Sequence, residues 1–387
     1  MQQSPGLKEM VQQLVSTPSI SSTHKQLDQS NLDVVHILAN WLQPLGFEIT
    51  ISPISGKLNK ANLIAKRGSG DNAFVLSGHT DTVPLDEDLW QSDPFSVTEK
   101  DDRWYGLGTC DMKSFFALAI EALRPLLDKD FKHPLILLAT ADEESTMSGA
   151  RALTAAELSN ARFAMIGEPT GLKPVNQHKG IMMLKALITG TSGHSSDPAL
   201  GNNALDGTAI LIDELIQYRN EIKSKYANDN FNVAYPTLNL GCIHGGDNPN
   251  RICDHVELSF DVRVLPGMDN DEVLQTLKQR LKAKLQDSDL DCDLSLMHPA
   301  VSPFENDEKQ LLTLVEQISG SPAGPVAFAT EAPFLKTLGM ETVVLGPGFI
   351  EQAHQPNEFI PLNHLDPTID IIRRLIFQFC CEDRPVT

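Results

Sequence analysis

The sequence predicts an α/β protein in which a larger domain is interrupted by a smaller, ferredoxin-like one. Three observations carry that prediction. Residues 74–76, 135–140 and 163–166 are apolar on successive positions, as strands buried on both faces of a covered sheet must be. Residues 115–127 are apolar on nearly every face, which suits a helix packed against such a sheet. Between 181 and 297 the pattern changes to strand, helix, strand, strand, helix, strand, the βαββαβ order.

Taken along the chain, residues 7–14 form an amphipathic opening helix and 32–45 a second helix. Gly68-Ser69-Gly70 reads as a hairpin turn rather than a phosphate cradle, and neither a GxGxxG nor a Walker A pattern occurs. The insertion consists of strand 181–188, helix 204–222, strands 237–244 and 255–265, helix 269–285 and strand 292–297. An α/β pattern then resumes with helix 309–318, strand 342–345 and a closing helix 366–379. The larger domain is therefore expected to be discontinuous, 1–179 with 298–387, around an insertion at 180–297.

Composition narrows the function classes. A chain of 387 residues with 41% hydrophobic and 21% charged residues is an ordinary globular composition with length for two domains. Its 51 acids against 31 bases give a formal charge of −20, which repels a phosphate backbone and argues against nucleic-acid binding. Met1-Gln2-Gln3-Ser4-Pro5 lacks the basic and apolar regions of a signal peptide, and no apolar stretch approaches the roughly 18 residues a membrane span needs. A cytoplasmic protein is expected. The cysteines at 110, 242, 253, 292, 380 and 381 show no CxxC spacing, so neither a disulfide framework nor a cysteine zinc site is indicated.

In an open α/β sheet, ligands gather beyond the carboxyl ends of the strands. His79 follows run 74–76, the pair Glu143-Glu144 follows 135–140, and Glu168 follows 163–166. A single histidine after a strand is commonly just hydrogen-bonded; several such coincidences in one domain shift the reading. With Asp111 and His354 they provide the imidazole nitrogen and carboxylate oxygen that two metals sharing one carboxylate require. Adjacent acids repel, and two readings of Glu143-Glu144 stand: both cap a helix start, or one binds a metal while the other is a general base. Cys110, beside Asp111, reads as a small buried filler.

Ser77-Gly78-His79-Thr80-Asp81-Thr82-Val83-Pro84, Gly106-Leu107-Gly108-Thr109-Cys110-Asp111-Met112-Lys113 and Asp142-Glu143-Glu144 resemble the co-catalytic metallopeptidase family of aminoacylases, bacterial glutamate carboxypeptidase and succinyl-diaminopimelate desuccinylase. The resemblance spans essentially the whole chain. Gly167-Glu168-Pro169-Thr170, Thr330-Glu331-Ala332-Pro333-Phe334, Leu345-Gly346-Pro347-Gly348 and Gln352-Ala353-His354-Gln355-Pro356-Asn357-Glu358 are similar in order and spacing to the amino-acid deacetylases within that family.

What the resemblance implies is specific. The fold would be a zinc-peptidase-like three-layer catalytic domain with the ferredoxin-like insertion as lid and dimerisation domain. Asp111 would bridge two divalent ions, zinc or cobalt; His79 and Glu168 would complete one site, Glu144 and His354 the other. Asp81 would stand behind His79 and hold its ring nitrogen. Glu143 would be the base. A cis peptide is implied between Asp111 and Met112. His194, in a Gly- and Ser-rich loop that alone reads as surface, would reach across a dimer interface and steady an oxyanion. Arg251 and Arg263 would clamp a substrate carboxylate, although Arg263 alone reads equally as a solvated strand residue. Asn239 would line the cleft. Glu331 would read a cationic substrate side chain, against a plain reading as a helix N-terminal acid. The activity implied is hydrolysis of a small N-acyl amino acid by a homodimer.

Other classes fit less well. A binding protein that kept the fold without chemistry has no need of Glu143, and structural zinc sites close with four ligands rich in cysteine, which are missing from this set.

Overall fold

The computed structural model describes residues 5–382, and the chain divides into two compact units. The first takes in residues up to 176, 306–324 and from 330 onward; the second takes in 177–305 and 325–329. Segment 325–329, expected in the larger domain, carries no pattern that sets it apart in the sequence.

The first unit is built on a mixed sheet running Glu48–Pro53, Ala61–Arg67, Leu135–Thr140, Phe74–His79, Phe163–Ile166 and Glu341–Val344. From Leu135–Thr140 to Glu341–Val344, neighbouring strands are parallel. Every residue of these strands is buried. Side chains alternate between faces along a strand, so both faces are covered and the sheet is the middle of three layers. Helix Ser114–Leu123 is buried everywhere except Glu121 and packs against Phe74–His79 and Leu365–Ile376. Phe379 meets Phe163 and Phe74 with ring centroids 4.4 and 5.3 Å apart. Truncating such a core phenylalanine to alanine costs about 3–5 kcal/mol.

Some elements end differently from the expectation. The helices starting at Leu32 and Ser114 stop at Leu42 and Leu123, and continue only as tight 3-10 turns, Gln43–Leu45 and Arg124–Leu126. Pro44 and Pro125 lack the N–H that further α-helical bonding needs. The closing helix, Leu365–Ile376, widens into a π turn over Phe377–Cys381. Gly68-Ser69-Gly70 is not a hairpin turn. The strands it connects, Ala61–Arg67 and Phe74–His79, do not pair, because Leu135–Thr140 lies between them and bonds to both.

The parallel strands position the site. His79 is the last residue of one; Thr140 and Ile166 end two others, leading into 141–144 and Gly167-Glu168. The start of the buried helix and the residues before it press closely on two of these strand ends, and at Gly167 only glycine fits. A Cβ on Gly167 would lie 2.1 Å from the Phe115 ring, and one on Gly78 2.7 Å from Met112 Cε. A small antiparallel sheet, Phe359–Pro361, Arg103–Tyr105 and Thr98–Lys100, brings the 354–358 loop alongside 106–111.

The second unit has a four-stranded sheet ordered Thr237–Gly245, His255–Val264, Gly180–Thr189, Asp291–Leu296, all neighbours antiparallel. Gly180–Thr189 alternates buried and more exposed residues; Met182, Leu184, Ala186 and Ile188 form the core face. Helices Ala204–Lys225 and Asn270–Lys284 pack on this core and are N-capped by Asn203 and Asp269, whose side chains accept from the Leu205 and Glu272 amides. Among the described residues no helix is long and apolar enough to cross a membrane.

Candidate metal centre

Asp111 faces two ways. Its Oδ1 lies 2.9 Å from His79 Nε2 and its Oδ2 lies 3.5 Å from His354 Nε2. Around this carboxylate, Glu168 Oε1 is 3.8 Å from His79 Nε2, and Glu144 Oε2 is 2.9 Å from His354 Nε2. Candidate ligand atoms lie within 4.8 Å of one another in each of two groups, His79 with Glu143 and Glu168, and His79 with Asp111 and Glu144. By spacing alone Glu143 qualifies as a ligand as well as Glu168. The peptide between Asp111 and Met112 is cis, as the family resemblance implies.

The residues fit divalent cations. Donors are imidazole nitrogen and carboxylate oxygen, without thiolate. Among the described residues, the buried Oε1 atoms of Glu144 and Glu331 have no hydrogen-bond partner. An orphaned buried polar atom costs about 1–3 kcal/mol, more for a charged group, so such oxygens call for a cation.

Without cations, protons compensate the acids. Burial opposes a charge on His79, but Asp111, Glu168 and Asp81 outweigh it and raise the ring well above its ordinary value. His354 is pushed up to about 9, first by its hydrogen bond to Glu144. Burial, and then the charge of Glu168, raises Glu143 well above the carboxylate range; burial and Asp111 do the same to Glu168. A metal would have to displace these protons.

Asp81 plays its part differently from the expectation. It is the main-chain carbonyl of Asp81 that lies 2.9 Å from His79 Nδ1; the carboxylate is 3.8 Å away. The carboxylate is engaged elsewhere, accepting the amide N–H groups of Glu143 at 3.2 Å and Glu144 at 3.1 Å. Fixing the ring falls to the carbonyl, and fixing the acidic turn to the side chain.

Glu331 is buried at the start of helix Ala332–Thr337, caps nothing with its side chain, and accepts from Thr140 Oγ1 at 2.9 Å. Burial pushes its carboxyl up to about 7. Cys110 is buried, its Sγ packed where a Cβ on Gly348 would come within 2.4 Å. Sequence reasoning missed the role of Glu358. This buried acid accepts the amides of Gly108 at 3.0 Å, Cys110 at 2.7 Å and Asp111 at 3.0 Å, fixing the loop that carries Asp111. The one available signal was an acid four residues beyond His354.

The remaining candidates belong to the second unit. His194 and Arg251 are joined by an antiparallel bridge, and both are exposed. His194 Nδ1 accepts from the Ser196 amide at 3.2 Å. Arg251 pairs with Asp247 at 2.7 Å and Asp254 at 3.5 Å; Arg263 pairs with Asp261 at 2.8 Å. Asn239 is exposed on strand Thr237–Gly245.

Known proteins resemble this chain over nearly its whole length. The chain is 46% identical over 384 residues to an acetylornithine deacetylase of Photorhabdus laumondii, covering 97% of this chain and 98% of the relative. It is 45% identical over 377 residues to an acetylornithine deacetylase of Aliivibrio salmonicida, covering 97% and 99%. Its fold is that of an M20 family metallo-carboxypeptidase from Sulfolobus solfataricus, with a TM-score of 0.74 at 19% identity and coverage of 97% and 99%. Residues 75–378, which hold every acid and histidine of the cluster, match the model of peptidase family M20/M25/M40, and the chain belongs to that family.

Proposed function

We propose that this chain is a metal-dependent amidohydrolase that removes the acetyl group of N2-acetyl-L-ornithine, releasing acetate and L-ornithine in arginine biosynthesis. One observation carries the chemistry: Asp111 turns its two oxygens towards two different histidines, with Glu143 beside the same cluster. The substrate is supported by 46% and 45% identity to relatives named acetylornithine deacetylase.

In this reading two divalent cations, zinc or cobalt, would be held by Asp111 together with His79 and Glu168 on one side and Glu144 and His354 on the other. When bound, the cations lower the pKa of a coordinated water towards about 7 and polarise the amide carbonyl. Glu143 accepts the attacking water's proton and returns it to the departing nitrogen. The Asp81 carbonyl keeps Nδ1 of His79 protonated, leaving Nε2 as the donor atom. Residues 180–297 act as lid and dimer interface. His194 of a second copy steadies the developing oxyanion, Arg251 and Arg263 hold the substrate α-carboxylate, and Asn239 lines the cleft. Glu331, with its partnerless oxygen, reads the cationic side chain.

The test is amine release from N-acetyl-L-ornithine, an N-succinyl amino acid and a dipeptide, using protein stripped of metal and reloaded with zinc or cobalt. Acetylornithine should lead in kcat/KM by about 10-fold or more. A lead by another substrate would move the assignment within the family, and no amine release with two ions bound would overturn the hydrolase reading. Sedimentation during turnover tests the dimer, which a fully active monomer would contradict.

A further inference from the structure

Asp142 opens the acidic motif yet does none of the chemistry above. It is 1% exposed, and its φ of +60° is one that few residues other than glycine adopt. Its carboxylate is held from several sides. Oδ1 takes Lys60 Nζ at 2.8 Å and Ser21 Oγ at 3.1 Å; Oδ2 takes Ser148 Oγ at 2.8 Å and Lys57 Nζ at 3.1 Å. Its carbonyl accepts the amides of Thr146 at 3.0 Å and Met147 at 2.6 Å.

Lys60 is 2% exposed and also reaches Asp28 Oδ1 at 2.9 Å. It immediately precedes strand Ala61–Arg67, which pairs with Leu135–Thr140, the strand whose end runs into Asp142. Asn62, two residues on, accepts the Ala141 amide at 3.1 Å and donates to the Gly149 carbonyl at 2.9 Å. The turn is thus pinned from this neighbouring strand, while Asp81 holds the amides of Glu143 and Glu144. Successive side chains on a backbone held this way are divided between two groups: Glu143 goes with His79 and Glu168, Glu144 with His79 and Asp111.

We propose that Lys60 is a positioning residue for the Glu143-Glu144 pair, its ammonium fixing Asp142 so that one carboxylate faces the ligand set and the other stays free for proton transfer. This rests on the metal-site reading above. Burial opposes the lysine's charge, but Asp142 and Asp28 outweigh it and keep the group an ammonium. Lys57, with its side chain 35% exposed, sits on the same carboxylate at the rim, so losing Lys60 leaves Asp142 one weaker cationic partner.

A plain structural role would show only in stability. The test compares the parent with Lys60→Met, Lys60→Arg and Asp28→Asn as full-length chains, reading the melting temperature, Co2+ affinity and stoichiometry by calorimetry, and kcat and KM for acetylornithine. Lys60→Met should weaken cobalt binding and lower kcat by about 10- to 100-fold with KM little changed, and Lys60→Arg should regain most of both. A folded Lys60→Met protein with parental cobalt affinity and kcat would overturn the proposal, as would a deficit that Lys60→Arg does not relieve. If Lys60→Met does not fold, Asp28→Asn decides: a smaller loss in the same direction supports the positioning role, and unchanged affinity and kcat overturn it. A parent that binds no cobalt pair or releases no ornithine contradicts the functional reading itself; an active parent matched by Lys60→Met contradicts only the role of Lys60.

Discussion

The acids and histidines at the strand ends of the first unit and the candidate residues of the second live in opposite electrostatic settings. His79 is fully buried, the side chains of Asp111, Glu168 and Glu144 are only 5–7% exposed, and several are fixed from more than one side. His194, Asn239 and Arg251 stand in solvent; Arg251 pairs with the exposed Asp247, and the partly buried Arg263 with the partly buried Asp261. Buried like charges cannot coexist without compensation, which in the first region either protons or cations must supply. Exposed ion pairs are typically worth about 1 kcal/mol or less. One region is held in place by its own buried contacts; the other is exposed or tied up in local ion pairs.

The sharpest way to break this contrast is Glu143→Gln. It should lower kcat by about 10²- to 10⁴-fold while both cations still bind, as checked by amine release and metal analysis. A variant that loses a metal equivalent instead would make Glu143 a ligand, which its spacing to His79 and Glu168 also permits. Next in size is His194→Ala, expected to cost about 10²- to 10³-fold in kcat with metal content intact. Mixing it with a Glu143→Gln chain should restore part of the activity if the histidine serves the other copy's site. Arg251→Met and Arg263→Met should each raise KM by about 10- to 100-fold and spare kcat, since a charge-assisted contact to the carboxylate is worth about 1.5–3 kcal/mol.

The smallest expected effect is on stability against pH. Glu331 is raised to about 7, Glu358 to about 8 and His354 to about 9, so the folded metal-free chain binds more protons than the unfolded chain at neutral pH. Its stability should therefore fall as pH rises from 6.5 to 8. Lys113, pushed down to about 7, and His178, pushed down to about 4, both by burial, act in the opposite sense but are outnumbered by the groups held above their ordinary values. Adding two equivalents of zinc should flatten the fall by displacing the protons on His79 and His354. Thermal melts of metal-free and reloaded protein check this; equal pH slopes would mean that protons and cations do not compete for one cluster.

Much of the site was legible because each strand states its burial locally. A continuous apolar run such as 135–140 says where a covered strand ends, and the acids that follow are then at a sheet's carboxyl edge. Helix ends at Pro44 and Pro125 were equally local and were readable in principle from the ring's missing donor. Asn239 and Arg263 offered no such signal. An exposed polar residue on a half-buried strand looks the same whether it binds substrate or only water.

By itself the sequence determined the α/β class, the βαββαβ insertion and the residue types gathered at the strand ends, because hydrophobic periodicity and motif spacing are properties of neighbouring residues. Only the tertiary structure decided that Asp81 holds His79 through its carbonyl, that Glu358 fixes the Asp111 loop from 247 positions away, and that Lys60 fixes Asp142. Those contacts join segments far apart in the chain, and burial makes them strong. No local pattern encodes which distant polar atom will be enclosed beside which.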